Sequence, residues 1–594
     1  MKLALTFLFL LFLSICHGQT IPANRSFNWS NSGYQGTIPA PANIIDFLSV
    51  GGMNDGLTDN SSALQNAIST ATKPVVIYLS PGEYLFNTSI NLPDSTILRG
   101  YSSDSTKLIF DFAGSIGNGI NIIGSANGAF TNVISGAERF NNYVTVVDPS
   151  SFLAGDYSEI QQTNGSWDIQ PISWADNSIG QILHIISING DTLFFDEALR
   201  IDYNYSLNPQ IRKITTRREV GIECLNMERA DSVHVGVCFN VNFSYASNCW
   251  ITGVEIGKSI GSHIEIDAST NISIARCYIH DNFEYDGTST HGYGITQFGH
   301  TGQCRIENNI MRHLRHSFSM QCGANGNVVA YNYSLEPNRS EFPADFGADI
   351  SMHGHFTYAN LFEGNIVQNI QIDQTWGPTG PLNTCFRNRA ELYGILMSSG
   401  SVQSDSLNFI GNEVTNTAPF MGNYTLTGAG HFGFGNNIKG TITPTGTSPL
   451  PDSSYYLDSL PIFWTSSIFP SIGIPNTIGS GTIPAKERFL SGVFLAPCAE
   501  NINTSIYETT SLDHFEVFPN PFSEEINLSI SSSIQEKITI QIKDLQGKII
   551  LEKHELTSFG KNKYQLSTSS LGKGIYFLKV ISTHFMEIEK VMKY

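Results

Sequence analysis

The sequence predicts an all-β protein, a long solenoid of short strands followed by a small β-sandwich. Three observations predict it. First, a short apolar phrase built around one asparagine recurs at Asn309, Asn332, Asn365, Asn388, Asn412 and Asn437, at intervals of 23, 33, 23, 24 and 25 residues. Asn248 and Cys277 hold similar places upstream. A unit of this size cannot bury its own apolar face and must stack on its neighbours. Second, charged residues make up only 14%, against about a quarter in typical chains, while glycines number 53. Third, the C-terminal stretch changes to period-two alternation, with Ile526, Leu528, Ile530 and then Ile538, Ile540, Ile542. That is the pattern of strands with one buried face.

The chain of 594 residues exceeds one ordinary compact domain. Residues 1–18 have a lysine at position 2, a Leu/Phe run and small residues near Gly18, the pattern of a signal peptide cut before Gln19. No other segment is apolar enough to span a membrane. The net charge of −19 argues against nucleic acid and anionic membranes as partners, and is compatible with Ca²⁺ or a glycan. Eight cysteines follow residue 18 without CxxC or His/Cys spacing. They read as buried thiols rather than a zinc site.

Residues 19–500 are expected to form the solenoid. Within Ile44 to Ser69, Ala63, Leu64, Ala67 and Ile68 give one apolar helical face, with a capping box from Ser62 and Gln65. Such a helix would cover the open first rung. Residues 130–215 break the rhythm and read as a β-rich insertion, where Trp167 and Trp174 either line a glycan groove or belong to a packed subdomain. Residues 441–500 hold many aromatics and no rung rhythm, and are expected to dock back along the solenoid. Residues 501–512 read as a linker and 513–594 as the sandwich.

Four clusters can carry chemistry. Arg312, His313, Arg315 and His316 fall within five positions. Alternation would put His313 and Arg315 on one face. Asp345, Asp349, His353 and His355 lie in the longest interval between rungs, a long turn on a rigid scaffold. Alternation places Arg387, Arg389 and Glu391 together, suited to carboxylate recognition. Glu284, Asp286, His291 and His300 lie in a Gly/Thr/Ser-rich loop. Each has a plain structural alternative: solvated turns, backbone-bonded histidines or a salt-bridged ladder.

Two resemblances follow from quoted motifs. The run DGLTDNSSALQNAI, then VVIYLSPGEYLF, then LRG resembles the start of the pectate-lyase-like superfamily of right-handed parallel β-helices. The resemblance implies that fold over about residues 41–440 and does not specify a reaction. FPNP at 518–521, the turn DLQG and the late strand GIY resemble the C-terminal sorting domain of type IX secretion. That implies a partner in the type IX machinery, and a protein secreted or attached to the outer surface of a Gram-negative cell.

The leading expectation is an enzyme cleaving an acidic polysaccharide by β-elimination. His313 or His353 would be the base, and Arg315, Arg387 and Arg389 would hold the uronate. His316, His355, Glu391 and His291 would contact substrate, and Asp349 and Asp345 would bind Ca²⁺. Alternatives are a glycoside hydrolase using two of Asp345, Asp349, Glu363, Asp373 and Glu391, and a non-catalytic glycan-binding solenoid.

Overall fold

The computed structural model describes residues 20–594, apart from 233–235, 399, 465–467, 493–494, 499–514, 533–536, 545–548, 559 and 582–585. The leader at 1–18 and the linker at 501–512 lie outside the described residues. The chain divides into two compact units, Met1–Ala499 and Glu500–Tyr594.

The first unit is a parallel β-helix. One wall is a 13-stranded parallel sheet running from Ile44–Asp46 through Leu361–Glu363 to Phe432–Phe434, and the remaining faces form a second sheet of 21 strands. Side chains alternating inward fill one continuous core, from Phe47 and Leu64 through Ile266, Phe318 and Ile350 to Val414. The helix Ser61–Thr70 covers the first rung with Leu64, Ala67 and Ile68. Its start differs from expectation. Asn60 is the N-cap residue, and Asp59 Oδ1 accepts the Ser61 N–H at 2.9 Å. Gln65 instead clamps Asn91, accepting its N–H at 3.0 Å and donating to its carbonyl at 3.1 Å.

The recurring asparagines form an internal ladder. Asn309 donates its N–H and its Nδ2 to Asn332 Oδ1, each at 2.9 Å, and the pattern repeats through Asn365, Asn388 and Asn412. It ends on Asn436, one residue before the asparagine that the spacing picked. Each Nδ2 also reaches a backbone carbonyl, as Asn365 does to Val329 at 2.8 Å. Every amide is thus satisfied at a buried corner where water cannot reach. Cys277 heads this ladder, its N–H donating to Asn309 Oδ1 at 2.8 Å. A second ladder, Asn327–Asn360–Asn383, runs beside the first and is headed by Cys304. Asn248 belongs to neither, and its Oδ1 accepts the Gln35 N–H at 2.6 Å instead. Cys238, Cys249, Cys277, Cys304, Cys322 and Cys385 are buried free thiols.

Residues 131–214 form a closed antiparallel barrel. Its core is Val144, Ile160, Leu183, Phe195 and Ile211. Buried His300 fastens it to the helix. One ring nitrogen lies 2.8 Å from Glu159 Oε1 on a barrel strand and the other 2.7 Å from the Asn177 carbonyl. Both partners only accept, so both nitrogens carry hydrogen. The described residues of 441–498 run back over the solenoid and bury Tyr455, Tyr456, Trp464 and Ile472 against Tyr331 and Phe386.

The second unit stacks a three-stranded sheet and a four-stranded sheet. The two alternating isoleucine/leucine sets named above are buried in its core.

Candidate functional site

On the strands of the second sheet, Ile266, Ile295, Phe318 and Ile350 face the core. Alternation turns Glu265, Thr296, Ser319 and Ser351 outward, and strand pairing aligns them in one row. Gly294 breaks the alternation. A Cβ there would stand 2.5 Å from Met311 Cε and 3.0 Å from Leu314 Cδ1. This residue therefore faces the core, and Tyr293 before it turns out beside the row.

Tyr293, His316 and His353 meet over this row. The Tyr293 and His316 rings are 4.6 Å apart and edge-on, and the His316 and His353 rings are 5.4 Å apart. Tyr293 Oη lies 3.4 Å from His353 Nε2. His353 Nδ1 lies 2.8 Å from Asp373 Oδ2 in an ion-pair contact, and its Nε2 faces the phenol. His316 Nδ1 lies 3.1 Å from the Ala348 carbonyl, which can only accept, so its Nδ1 holds the hydrogen. The Arg315 guanidinium stands 5.6 Å over the Tyr293 ring. Its Nη1 is buried and finds no hydrogen-bond partner among the described residues, and the same is true of Ser319 Oγ and Ser351 Oγ.

Burial dominates the electrostatics. It pushes the Tyr293 phenol up to about 12, with Arg315 opposing. It holds His316 well below the ordinary histidine value, helped by His353 and Arg315. Burial also opposes ionisation of Asp373, but its bonds to His353 and Thr375 outweigh this and keep it ionised. Glu265 is pushed up to about 8 by burial and by Asp267, which burial and Glu159 raise to about 6. Glu265 Oε2 is buried and likewise finds no hydrogen-bond partner among the described residues.

The structure brings Arg315, His316 and His353 together and sends other expected residues elsewhere. The strand ends at Arg312, and His313 turns at φ 54°, so the expected shared face of His313 and Arg315 does not form. The His313 ring meets Tyr285 instead. Arg387 donates to the carbonyls of Leu450, Asp452, Ile472 and Ile474 at 2.7–3.1 Å, and so holds the docked tail. Arg389 pairs with Glu413 at 2.7 Å and reaches the Gly481 carbonyl. Glu391 pairs with Lys486 of the helix Pro484–Ser491. All three residues serve the tail, which was too irregular for sequence to place.

Asp349, expected to bind Ca²⁺, has its carboxylate occupied by protein donors. It accepts from Ser334 at 2.6 Å and from the N–H groups of Gln368 and Asn369 in a buried corner. Asp345 accepts from Tyr393 Oη at 3.0 Å. Glu363 accepts from Tyr331 and Tyr455 beneath the tail. His355 is fully buried beside Trp167 and Trp174, with Nε2 3.7 Å from Asp168. His291 lies about 3 Å from both Asp286 and Glu284. These three are the candidate metal-holding set among the described residues, with ligand atoms within 4.8 Å of one another.

Sequence reasoning missed Tyr293, Glu265 and the serine floor. A signal existed in HSFSM at 316–320 and ADISM at 348–352, which place Ser319 and Ser351 at the same step of successive rungs.

Fold and site together define an exported parallel β-helix with a polar, histidine-bearing outer face. Residues 44–310 match the family described as rhamnogalacturonase A/epimerase, pectate lyase-like, and residues 516–594 match the secretion system C-terminal sorting domain. The chain thus carries a pectate-lyase-like β-helix and a type IX sorting domain, and the latter directs it to the cell surface or the medium. No curated protein matches the chain.

Solved structures of similar fold include the Gp54 tailspike of Acinetobacter baumannii bacteriophage AP22, at 16% identity over 64% of this chain and 67% of that one, TM-score 0.37. The A-module of mannuronan C-5 epimerase AlgE6 from Azotobacter vinelandii gives 14% over 66% and 93%, TM-score 0.36. An exopolygalacturonase from Thermotoga maritima gives 12% over 64% and 83%, TM-score 0.36. Among the described residues no helix is long and apolar enough to cross a membrane.

Proposed function

We propose that this protein cleaves a uronate-containing polysaccharide by β-elimination at the Tyr293–His353 pair. The observation that carries the reading is the 3.4 Å approach of Tyr293 Oη to His353 Nε2, with Arg315 beside it. His353, oriented by Asp373, takes the proton from C5 of the uronate. The C4–O4 bond breaks as the C4=C5 bond forms, and Tyr293 Oη gives its proton to the departing oxygen. The phenolate then recovers a proton from His353 Nε2 across their contact, so the site returns to its starting state. Arg315 Nη1 neutralises the carboxylate and so acidifies the C5 proton. Tyr293, with its proton held to about pH 12, suits the role of acid. A divalent cation such as Ca²⁺ would be held by Glu284, Asp286 and His291 rather than by Asp345 and Asp349.

A hydrolase is the second reading, favoured by one observation. Glu265 and Asp267 share the outer face, and Glu265 stays protonated to about pH 8, as a general acid must. Incubation with oligogalacturonates and oligomannuronates separates the two. Ultraviolet absorbance from an unsaturated uronate end supports elimination. New reducing ends without that absorbance overturn it in favour of Glu265.

A further inference from the structure

Two tryptophans that this reaction does not use border the site, Trp174 from the barrel and Trp376 from the solenoid. Trp174 lies in the short turn Ser173–Ala175, between the barrel strands Tyr157–Gln162 and Ile179–Asn189. Its ring is 5.8 Å from Trp376, 5.1 Å from His355 and 6.0 Å from Phe298. It nevertheless remains 40% exposed. Trp376 follows Asp373 by three positions, so the pair borders the His353–Asp373 end of the cluster.

The turn is fixed in place. Asn164 Nδ2 and Ser178 Oγ donate to the Ala175 carbonyl at 2.9 and 2.7 Å, and the next residues are clamped by His300 at the Asn177 carbonyl. A braced, partly exposed indole costs little ordering entropy when a flat apolar surface lands on it. A pyranose ring presents such a surface in its axial C–H groups. An aromatic wall beside a few convergent polar groups, here the His353–Asp373 end of the cluster, is how small-molecule sites are built.

We propose that Trp174 and Trp376 form a stacking subsite for a pyranose ring of the polymer, which makes the barrel a substrate-binding arm. The inference rests on reading the cluster as a sugar site, not on which bond is cut there.

Intrinsic tryptophan fluorescence of the full chain tests it, titrated with size-defined oligogalacturonates, oligomannuronates and neutral oligoglucans. A saturable emission change is expected with at least one series, with affinity weakened about tenfold or more in Trp174→Ala and in Trp376→Ala. Trp174→Phe should restore most of it, which a variant damaged only in folding would not show. Wild-type affinity in Trp174→Ala overturns the proposal, as does failure of every series to bind the wild type. Binding that depends on Trp174 without any cleavage upholds the subsite and sinks the elimination reading instead.

Discussion

Tyr293 Oη stands 3.4 Å from His353 Nε2, although 60 residues separate them in the chain. Strand pairing brings them together. Tyr293 aligns with His316, and the His316 strand lies beside the strand Ala348–Met352 that leads into His353. A phenol and an imidazole in this relation can take a proton and give one on the same side of a sugar.

Tyr293→Phe and His353→Ala are expected to lower kcat by about a hundredfold or more, the usual worth of a positioned acid or base. Far-ultraviolet circular dichroism should stay unchanged. His313→Ala, whose ring meets Tyr285, should keep wild-type rates. Initial rates of double-bond formation check all three, and loss of activity in His313→Ala alone would refute the assignment.

Arg387→Ala should lower stability by about 3 kcal/mol and leave the chemistry intact once the protein is folded. Four tail carbonyls lose a charged donor in that variant. Arg387→Lys should not rescue, because one ammonium cannot span the four carbonyls. Thermal melts and limited proteolysis within 441–500 measure it.

The barrel clamp should weaken with rising pH. His300 faces Glu159 and Asp267, with Arg212 on the far side of Glu159. Burial opposes its charge, but the bond to Glu159 prevails and raises its pKa above the ordinary 6.5. A raised histidine contributes stability that is fully present below the unfolded value and is lost as pH climbs through the folded one. The melting temperature of the wild type should therefore fall across mildly alkaline pH relative to its value near pH 5. His300→Gln should be less stable at low pH and flatter across the range. A parallel profile in the two proteins would show that His300 does not act as a clamp.

Asn365→Ala should cost about 2–4 kcal/mol, because it strands buried groups on both neighbouring rungs. Asn332 loses the Oδ1 acceptor of its N–H and Nδ2, while Asn388 Oδ1 and the Val329 carbonyl each lose the Nδ2 donor, and the backbone N–H of residue 365 still reaches Asn388 Oδ1. Asn437→Ala, one residue beyond the end of the ladder, should cost far less. Denaturant melts of the two variants compare them directly.

Much of the fold was legible because a solenoid repeats one local solution. Asn309, Asn332, Asn365 and Asn388 mark it plainly, since each rung needs the same amide at the same corner. The second ladder at Asn327, Asn360 and Asn383 shows the same spacing but sits in a less apolar phrase. The sorting domain was legible from period-two alternation and its FPNP start.

By itself the sequence determined the β-helix, its covering helix and the export domain, and it singled out the stretch that carries Arg315, His316 and His353. The tertiary structure alone decided which charged residues gather around Tyr293 and His353. Arg315 and Arg387 look equivalent in sequence, each a basic residue beside a rung. One lies over Tyr293 with a nitrogen to spare, while the other is consumed by carbonyls more than sixty residues away. Alternation fixes the face of a residue only while the strand lasts. At the corners, where His313 and Arg387 sit, the turn geometry and whatever packs over it set the direction.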